Sequence, residues 1–257
     1  EVLNYSIRIN RTLLRYSREA RDLRKQLRRI EKELALIGYT EQELSPQVQL
    51  NLDFARANMK ANIYDQAILE GVTTTFPQTE TVIDNGIVSG MTPTDIQKIV
   101  NLKHAWEFIL DKDVITAPTD YYLLCYIARL VNEGFFHDGG KIRSVPVTIG
   151  GTKYVPPLPI EINVKEDISQ IVQSENTVID ITIELCLYCM KTQVFTDGNK
   201  RTSIIFANHF LIAHGAGLLI IPEKDVPKFK ALLVRYYENK DIDIIKTFLK
   251  ENCWRKF

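Results

Sequence analysis

One short segment between two apolar helical patterns constrains this chain more than any other feature. The apolar residues predict a helix that ends near Lys191 and another that begins near Lys200, with residues 193–201 joining them. Gly198 lies in the predicted turn at the start of the second helix. A helix N-terminus presents unpaired backbone N–H groups and the positive end of the helix dipole. The segment therefore predicts an anion site.

Charged side chains at the same turn strengthen this prediction. Lys200 and Arg201 add formal positive charge. Asp197 could hold a magnesium ion against a bound phosphate, because Mg²⁺ prefers one or two carboxylates together with phosphate oxygens. Taken alone, the segment could also be an ordinary charged turn between helices, since short motifs match by chance.

The composition excludes several classes of protein. A chain of 257 residues with 45% hydrophobic content can bury the core of one large domain with an appended subdomain. Its 32 basic and 32 acidic side chains cancel, so no overall field attracts nucleic acid or an anionic membrane. Apolar stretches such as 218–221 are far shorter than the roughly 20 residues that cross a bilayer. We expect a globular protein that is not inserted in a membrane.

The four cysteines are few and mostly separated. Cys186 and Cys189 form one CxxC pair inside an apolar run, and Cys125 and Cys253 lie far from it. A single CxxC pair without a second one is weak evidence for zinc, and buried reduced thiols are the better interpretation. Reduced thiols favour a reducing compartment, so we predict a cytoplasmic location.

The first segment of the chain carries a heptad pattern. Apolar residues recur at spacings of four and three and predict one long helix over 7–37. Positions 8–33 contain ten Lys or Arg and four Asp or Glu. The preferred interpretation is a solvated face on a helix that docks on its own domain or forms a homo-oligomer. A nucleic-acid-binding arm is the alternative, and we consider nucleic acid an unlikely partner. The apolar positions are Ile9, Leu13, Tyr16, Ala20, Leu23, Leu27, Ile30 and Leu34.

The remaining pattern predicts further helices. Ser45 and Pro46 mark the start of a second helix, which continues to Gly71. Residues 72–90 are rich in Thr and contain Pro and Gly, so they read as a long exposed connection. We therefore predict an N-terminal helical region over 1–90 and a core domain over 91–257.

The predicted core domain is helical apart from one segment. A helix begins at 92–95 and runs to about 110, and another runs from 118 to about 132. Two short β-branched runs joined by Gly-Gly over 141–157 predict a hairpin, and helices follow from about 165. The expected fold is all-α with a small β-hairpin flap.

Residues 193–201, Gln-Val-Phe-Thr-Asp-Gly-Asn-Lys-Arg, resemble the signature of the Fic family, His-x-Phe-x-Asp/Glu-Gly-Asn-Gly/Lys-Arg, at every place but the first. The hairpin over 141–157 resembles the flap on which the family docks its target proteins. Residues 66–71 resemble its inhibitory motif, Ser/Thr-x-x-x-Glu-Gly/Asn, and Tyr236 lies in a segment similar to the helix that closes its adenine pocket. The resemblance covers roughly residues 60–250 and implies the mainly helical Fic fold.

This resemblance implies an activity and its ligands. Members of the family transfer AMP from ATP to a hydroxyl side chain of a target protein, with Mg²⁺ bound at the acidic residue of the motif. The resemblance assigns the metal to Asp197, and it lets a target protein dock at the 141–157 flap. The residues it implies for nucleotide binding are Gly198, Asn199, Lys200, Arg201 and Tyr236.

Gln193 stands where the family has its catalytic histidine. A side-chain amide has no useful basicity near neutral pH, and the loss of a general base typically lowers the rate by about 10² to 10⁴. Slow transfer could survive, since much of phosphoryl-transfer catalysis is positioning. The chain is therefore either an impaired adenylyltransferase or a catalytically inactive nucleotide-binding regulator or interaction module.

Other departures concern inhibition and possible substitute bases. Ile204 occupies the place of a second arginine that usually pairs with the inhibitory glutamate, here Glu70, and Gln66 replaces the usual Ser or Thr. Our hypothesis is that Glu70 either pairs with Lys200 or Arg201, or only crowds the phosphate site. His209 lies eight positions beyond Arg201, about 12 Å along a helix, which is too far for a base. His137, just before the flap, is the only other histidine worth testing.

Overall fold

The computed structural model describes residues 44–256, so the predicted helix over 7–37 lies outside the described residues. The described chain is mainly helical, as predicted, with one two-stranded sheet. Its helices are α1 Pro46–Ala57, α2 Met59–Leu69, α3 Phe76–Ile83, α4 Pro93–Ile109, α5 Lys112–Ile115, α6 Tyr121–Val131, α7 Glu161–Val172, α8 Val178–Thr192, α9 Asn199–Ala213, α10 Val226–Tyr237 and α11 Ile242–Phe248. Strands β1 Leu218–Leu219 and β2 Trp254–Arg255, a 3₁₀ turn Glu223–Asp225 and a π-helical turn Leu249–Cys253 complete it.

Two helix starts that the sequence predicted are confirmed. Ser45 caps α1 by accepting from the backbone N–H of Val48, and Pro46 occupies the first turn. Thr92 caps α4 in the same way, accepting from the N–H of Asp95. Each cap satisfies one of the N–H groups that a helix start leaves without an intrahelical partner, and such a cap typically contributes about 1 kcal/mol.

The predicted exposed connection over 72–90 is wrong in its centre, because α3 forms there. Thr75 and Gln78 make a reciprocal capping box, in which each side chain accepts from the backbone N–H of the other residue. Pro77 lies in the first turn, where its missing N–H costs nothing. The residues that we interpreted as breakers therefore start a helix.

The predicted single helix from Pro46 to Gly71 is divided into α1 and α2. The break lies at Asn58, whose side-chain amide donates to the carbonyl of Phe54 at 2.9 Å. Two other predicted helices are displaced at their starts. Helix α6 begins at Tyr121 after an Asp120 cap, and α7 begins earlier than predicted, at Glu161.

The predicted hairpin over 141–157 does not form a strand ladder, because none of these residues is in a strand. This segment is an extended loop that reverses at Gly151, where φ is +82°. The small sheet lies elsewhere and pairs β1 with β2 in antiparallel register, Leu218 opposite Arg255. The two arms of the loop are joined by a buried side chain, described below, and not by cross-strand backbone bonds.

Helix α9 lies between two apolar clusters and is buried along nearly its whole length. Phe206 and Phe210 face the first cluster, which includes residues of α1, α2, α4 and α6. Ala207 and Leu211 face the second cluster, formed mainly with α8, α10 and α11. Truncation of a buried Phe to Ala typically costs about 3–5 kcal/mol, so packing on both sides holds the start of α9 in place.

The cysteines are mostly buried, as the sequence predicts. All four cysteines are free, and Cys186 and Cys189 are buried. Burial raises the pKa of the Cys186 thiol. No three His, Cys, Asp or Glu residues within 44–256 are arranged to hold a metal ion. Across the same residues, no helix has the length and apolarity that a membrane span requires.

A candidate anion-binding pocket at the start of α9

The turn between α8 and α9 is built on two left-handed residues. Gln193 ends α8 at φ 49° and ψ 61°, and Gly198 precedes α9 at φ 74°. A Cβ on Gly198 would lie 2.7 Å from Oδ1 of Asn132, which is closer than real Cβ atoms approach other atoms. Only glycine fits here for both reasons. No side chain caps α9, so the positive end of its dipole is open to a ligand.

A cavity of about 380 Å³ opens beside this turn. Glu70 at the end of α2, residues 147–150 of the loop and residues of α10 form its other walls. Of the predicted site residues, Arg201 and Tyr236 do not line the cavity. Those that do are Glu70, Gln193, Asp197, Gly198, Asn199 and Lys200, together with Lys230 and Tyr237 of α10.

Glu70 lies between the two cations of the motif. Its carboxylate is 3.4 Å from Nζ of Lys200 and 3.4 Å from Nε of Arg201. The sequence predicts a pair with either Lys200 or Arg201, and the structure contains both. However, Glu70 Oε1 and Arg201 Nε are buried and make no hydrogen bond. Buried polar atoms of this kind are costly when unsatisfied, so the contact is electrostatic and incompletely satisfied.

Arg201 is held rigidly behind the cavity wall. The residue is 1% exposed, and one of its terminal nitrogens donates to the carbonyl of Val131 at 3.1 Å. The other terminal nitrogen donates to Oδ2 of Asp197 at 2.9 Å. The side chain of Asp197 is about half exposed, at 53%. One accessible carboxylate beside a helix N-terminus fits the donor set that Mg²⁺ takes with phosphate oxygens.

Gln193 and Asn199 form a network of amide hydrogen bonds. Nε2 of Gln193 donates to the carbonyl of Met190 at 2.6 Å, and Oε1 accepts from Nδ2 of Asn199 at 3.0 Å. Asn199 also brackets Phe195, accepting from its N–H at 2.9 Å and donating to its carbonyl at 2.7 Å. Both hydrogens of the Asn199 amide are therefore used within the loop, and the Gln193 side chain is tied to α8 as well as to the motif.

Sequence reasoning missed two positioning side chains, Asn132 and Arg143. Asn132 ends α6, is 1% exposed, and donates to the carbonyl of Asp197 at 3.0 Å and to that of Gly139 at 3.1 Å. It thus connects the motif turn to the start of the loop. Nothing in the local sequence marks this asparagine, because its partners are distant in the chain.

Arg143 is the side chain that joins both arms of the loop to the motif. It is buried, and its guanidinium donates to the carbonyls of Gln193 at 2.6 Å, Val145 at 2.9 Å and Pro157 at 2.5 Å. Burial lowers the pKa of Arg143 from its usual value. Its charge, in a segment with few charged residues, is the local signal that could have identified it.

The histidines lie away from the cavity. His209 is fully buried, with Nε2 2.9 Å from the carbonyl of Val114 and Nδ1 2.8 Å from the hydroxyl of Thr119. Burial lowers the pKa of His209 to about 4, so it is neutral at neutral pH. The side chain of His137 is 98% exposed beside Asp138. None of the described histidines lines the cavity.

Two hydrophobic or aromatic positions singled out by the sequence, Ile204 and Tyr236, lie in the second apolar cluster. Ile204 is buried in the second apolar cluster and does not reach the cavity. Tyr236 is also in that cluster, and its ring lies under the ammonium of Lys191 at 4.9 Å. Its neighbour Tyr237 takes a place in the cavity wall.

Comparison with known proteins identifies the fold. Residues 118–211 match the sequence model of the Fic/DOC family. The structure is similar to Fic-1 (residues 134–508) from C. elegans, with TM-score 0.64 and 17% identity over 91% of this chain and 73% of that one. No curated protein matches the sequence.

Two bacterial structures show the same likeness. A Fic domain containing signaling protein from Bacteroides thetaiotaomicron has TM-score 0.62 and 18% identity over 81% of this chain and 86% of that one. A Fic family protein from Desulfovibrio desulfuricans has TM-score 0.62 and 18% identity over 97% of this chain and 70% of that one. The TM-scores establish a shared fold. Identities this low do not transfer the substrates or activity of these proteins to this chain.

Proposed function

We propose that this chain, whose residues 118–211 match the Fic/DOC family model, binds ATP with Mg²⁺ and transfers AMP to a hydroxyl side chain of a target protein. The transfer is slow because Gln193 stands in place of the histidine that would act as general base. The observation that carries the proposal is the pair of contacts between the Glu70 carboxylate and the cations Lys200 and Arg201 at 3.4 Å. A carboxylate at an uncapped helix start indicates an anion site that the chain itself occupies.

The residues at the turn are suited to a bound phosphate. The first N–H groups of α9, Lys200 and Arg201 would hold phosphate oxygens, and Asp197 would hold Mg²⁺. Arg201 Nε and Glu70 Oε1 are buried without a hydrogen bond, so exchanging the carboxylate for a phosphate oxygen would satisfy a donor that is now unpaired. When bound, ATP would supply the AMP group: the target hydroxyl oxygen would bond to the α-phosphorus, pyrophosphate would leave, and the hydroxyl proton would pass to solvent, while Mg²⁺ would neutralise charge on the phosphates.

The loop over 141–157 supports the proposal that a target protein docks beside the cavity. Residues 147–150 line the cavity, while Val145 is half exposed on the same arm. Arg143 holds this arm close to Gln193, since its guanidinium binds the carbonyls of both Val145 and Gln193. A target hydroxyl presented by this loop would therefore arrive near the motif turn. The buried free thiols support a reducing, cytoplasmic compartment for such a target.

A second candidate function is a nucleotide-binding regulator without turnover. The observation that favours it is the Gln193 side chain, which bonds Met190 and Asn199 and carries no basic atom. Transfer to a hydroxyl requires that its proton be taken, and no described histidine lines the cavity to take it. In this case ATP binding would change the position of Glu70 and of α2 without chemistry.

Calorimetric titration with ATP and Mg²⁺ tests both candidates. We expect Glu70→Gly to bind about tenfold more tightly than the unmodified chain, because a competing carboxylate is removed, and Glu70→Gln to fall between them. Asp197→Ala should lose the Mg²⁺ dependence of binding, whereas the exposed control Asp138→Ala should keep it.

Incubation of Glu70→Gly with α-labelled ATP and candidate target proteins then separates the candidates. Covalent label on a protein hydroxyl supports adenylyl transfer, and binding without label supports the regulator. If neither the unmodified chain nor Glu70→Gly binds ATP, both candidates are wrong.

A further inference from the structure

Gln66 joins α2 to the start of α9 through its side-chain amide. Nε2 donates to the carbonyl of Arg201 at 2.8 Å, and Oε1 accepts from the indole Nε1 of Trp106 at 2.9 Å. Gln66 is 3% exposed and Trp106 is fully buried. Water cannot easily replace either partner at such a depth, so breaking one of these bonds leaves a buried polar atom unsatisfied.

Trp106 determines which way the amide faces. An indole N–H can only donate and a backbone carbonyl can only accept, so the two partners require an acceptor on one side and a donor on the other. The Gln66 amide supplies both with a single orientation. A glutamate carboxylate at this position could accept from the indole N–H of Trp106. At neutral pH, however, it has no hydrogen to donate to the backbone carbonyl of Arg201.

Glu70 lies one helical turn after Gln66 on the same face of α2. The backbone N–H of Glu70 donates to the carbonyl of Gln66 at 3.2 Å. Helix α2 thus holds Arg201 at two points, with Gln66 on its carbonyl and Glu70 on its Nε. The second contact makes no hydrogen bond, so the first supplies the directional restraint.

We propose that Gln66 is the positioning residue that holds the Glu70 carboxylate in the anion site. The consequence for ligands rests on the proposed nucleotide binding: releasing Gln66 frees Glu70 to leave Lys200 and Arg201, and the pocket then takes phosphate more readily. Gln66 acts through Glu70 and does not touch the ligand.

Helix α2 has a second attachment that does not depend on Gln66. Asp65 accepts from the backbone N–H of Glu223 at 3.0 Å and from the guanidinium of Arg255 at 2.9 Å. Together with the buried Ile63 and Ala67, this attachment keeps α2 on the core when Gln66 is replaced. Variants at Gln66 are therefore expected to fold.

The first experiment measures ATP·Mg²⁺ affinity by calorimetry in Gln66→Met, which keeps side-chain length and removes both hydrogen bonds. We expect binding about fivefold to tenfold tighter than in the unmodified chain. Gln66→Glu, which can still accept from Trp106, should show the same direction. The double variant Gln66→Met with Glu70→Gly should bind no more tightly than Glu70→Gly alone, because both changes remove the same competitor. Gln173→Glu, an exposed change at the end of α7, should leave the affinity unaltered.

The second experiment needs no ligand and measures thermal unfolding of Gln66→Met, Glu70→Gln and their combination. We expect the midpoint shift of the combined variant to differ from the sum of the single shifts by about 2 °C or more, since contacting residues couple. Additive shifts together with unchanged ATP affinity in Gln66→Met would overturn the role of Gln66.

The two experiments distinguish this inference from the proposed function. Coupled unfolding with no ATP binding by Glu70→Gly would support Gln66 and contradict nucleotide binding. Tight ATP binding by Glu70→Gly, with Gln66→Met unchanged and unfolding additive, would support nucleotide binding and contradict Gln66.

Discussion

At Gln193 the backbone conformation restricts which residues fit, and the side chain determines whether a basic atom is present. Its φ of 49° favours residues that tolerate the left-handed region, and histidine is among the residues enriched there. Its side chain bonds the carbonyl of Met190 and the amide of Asn199. A histidine can therefore adopt the backbone conformation, and its ring would replace an amide that has no basic atom.

We predict that Gln193→His raises the rate of the proposed AMP transfer by about 10² to 10⁴, because it places a general base beside the cavity. The measurement is label transfer from α-labelled ATP in the Glu70→Gly background, with the ATP dissociation constant recorded in parallel. Gln193→Asn is the matched control, since it tolerates the same backbone and adds no base. Equal rates for the histidine and asparagine variants would show that the position does not limit transfer.

His209 gives the folded protein a specific pH dependence. Its pKa is lowered by burial to about 4, whereas an unfolded chain has a histidine pKa near 6.5. Between these values the unfolded state binds more protons, so stability is complete above about pH 6.5 and falls as the pH falls toward 4. The shift corresponds to at most about 3 kcal/mol of unfolding free energy.

We predict that His209→Gln flattens the decrease in unfolding free energy between pH 6.5 and 4.5, although it lowers stability at pH 7.5 through lost packing. Urea unfolding at several pH values measures the difference between each variant and the unmodified chain. The exposed Gln173→Asn, which removes no titratable group, should reproduce the original slope. An unchanged slope in His209→Gln would mean that His209 binds its proton equally in the folded and unfolded states.

At the scale of elements, the loop over 141–157 takes its shape from one buried cation. The backbone N–H of Arg143 donates to the carbonyl of Val194 at 3.0 Å, and its guanidinium binds carbonyls on both arms of the loop. A two-stranded ribbon would pair these groups with each other. Here the arginine satisfies them, which is why extended arms occur without a ladder.

We predict that Arg143→Met loosens this loop, because its guanidinium no longer donates to the carbonyls of Gln193, Val145, Pro156 and Pro157, and the motif turn loses an attachment. Limited trypsin digestion should cut after the exposed Lys153 about tenfold faster than in the unmodified chain, read by the mass of the fragments. Arg129→Met removes an exposed charge on α6 and serves as the control. Equal cleavage in the two variants would contradict the role of Arg143.

At the scale of the whole molecule, α9 packs against both apolar clusters, and this packing fixes the position of the site at its first turn. Its opposite faces contact different helices, and its first turn carries the motif cations. Residues of α1 and α2 share the first cluster with α4 and α6, so the helix that bears Glu70 is packed on the same core as the site that it contacts. The contact of Glu70 with Lys200 and Arg201 is therefore part of the packed fold.

The heptad pattern over 7–37 leads to a prediction for assembly. If this segment pairs with a second copy, as its apolar spacing indicates, deleting residues 1–37 should lower the number of chains per particle, calculated from the mass measured by light scattering. Salt-dependent DNA binding that disappears on the same deletion would favour the nucleic-acid alternative. The same number of chains per particle before and after deletion, without DNA binding, would contradict both.

The sequence alone determined those features that depend on neighbouring residues. The caps at Ser45 and Thr92 act within three positions, and the glycine turn at 198 precedes a helix start, so each was readable from local chemistry. The prediction of a loop at residues 72–90 was wrong because Thr75, Pro77 and Gln78, which are common in loops, here start a capped helix.

Only the tertiary structure decided which distant groups meet at the site. Gln66 lies 135 positions from Arg201 in the chain, and Arg143 lies 50 positions from Gln193. Their contacts exist because the two apolar clusters bring α2, α8 and α9 together, and no local pattern encodes that arrangement. The motif residues were therefore predictable, whereas the side chains that hold them depend on packing between helices far apart in sequence.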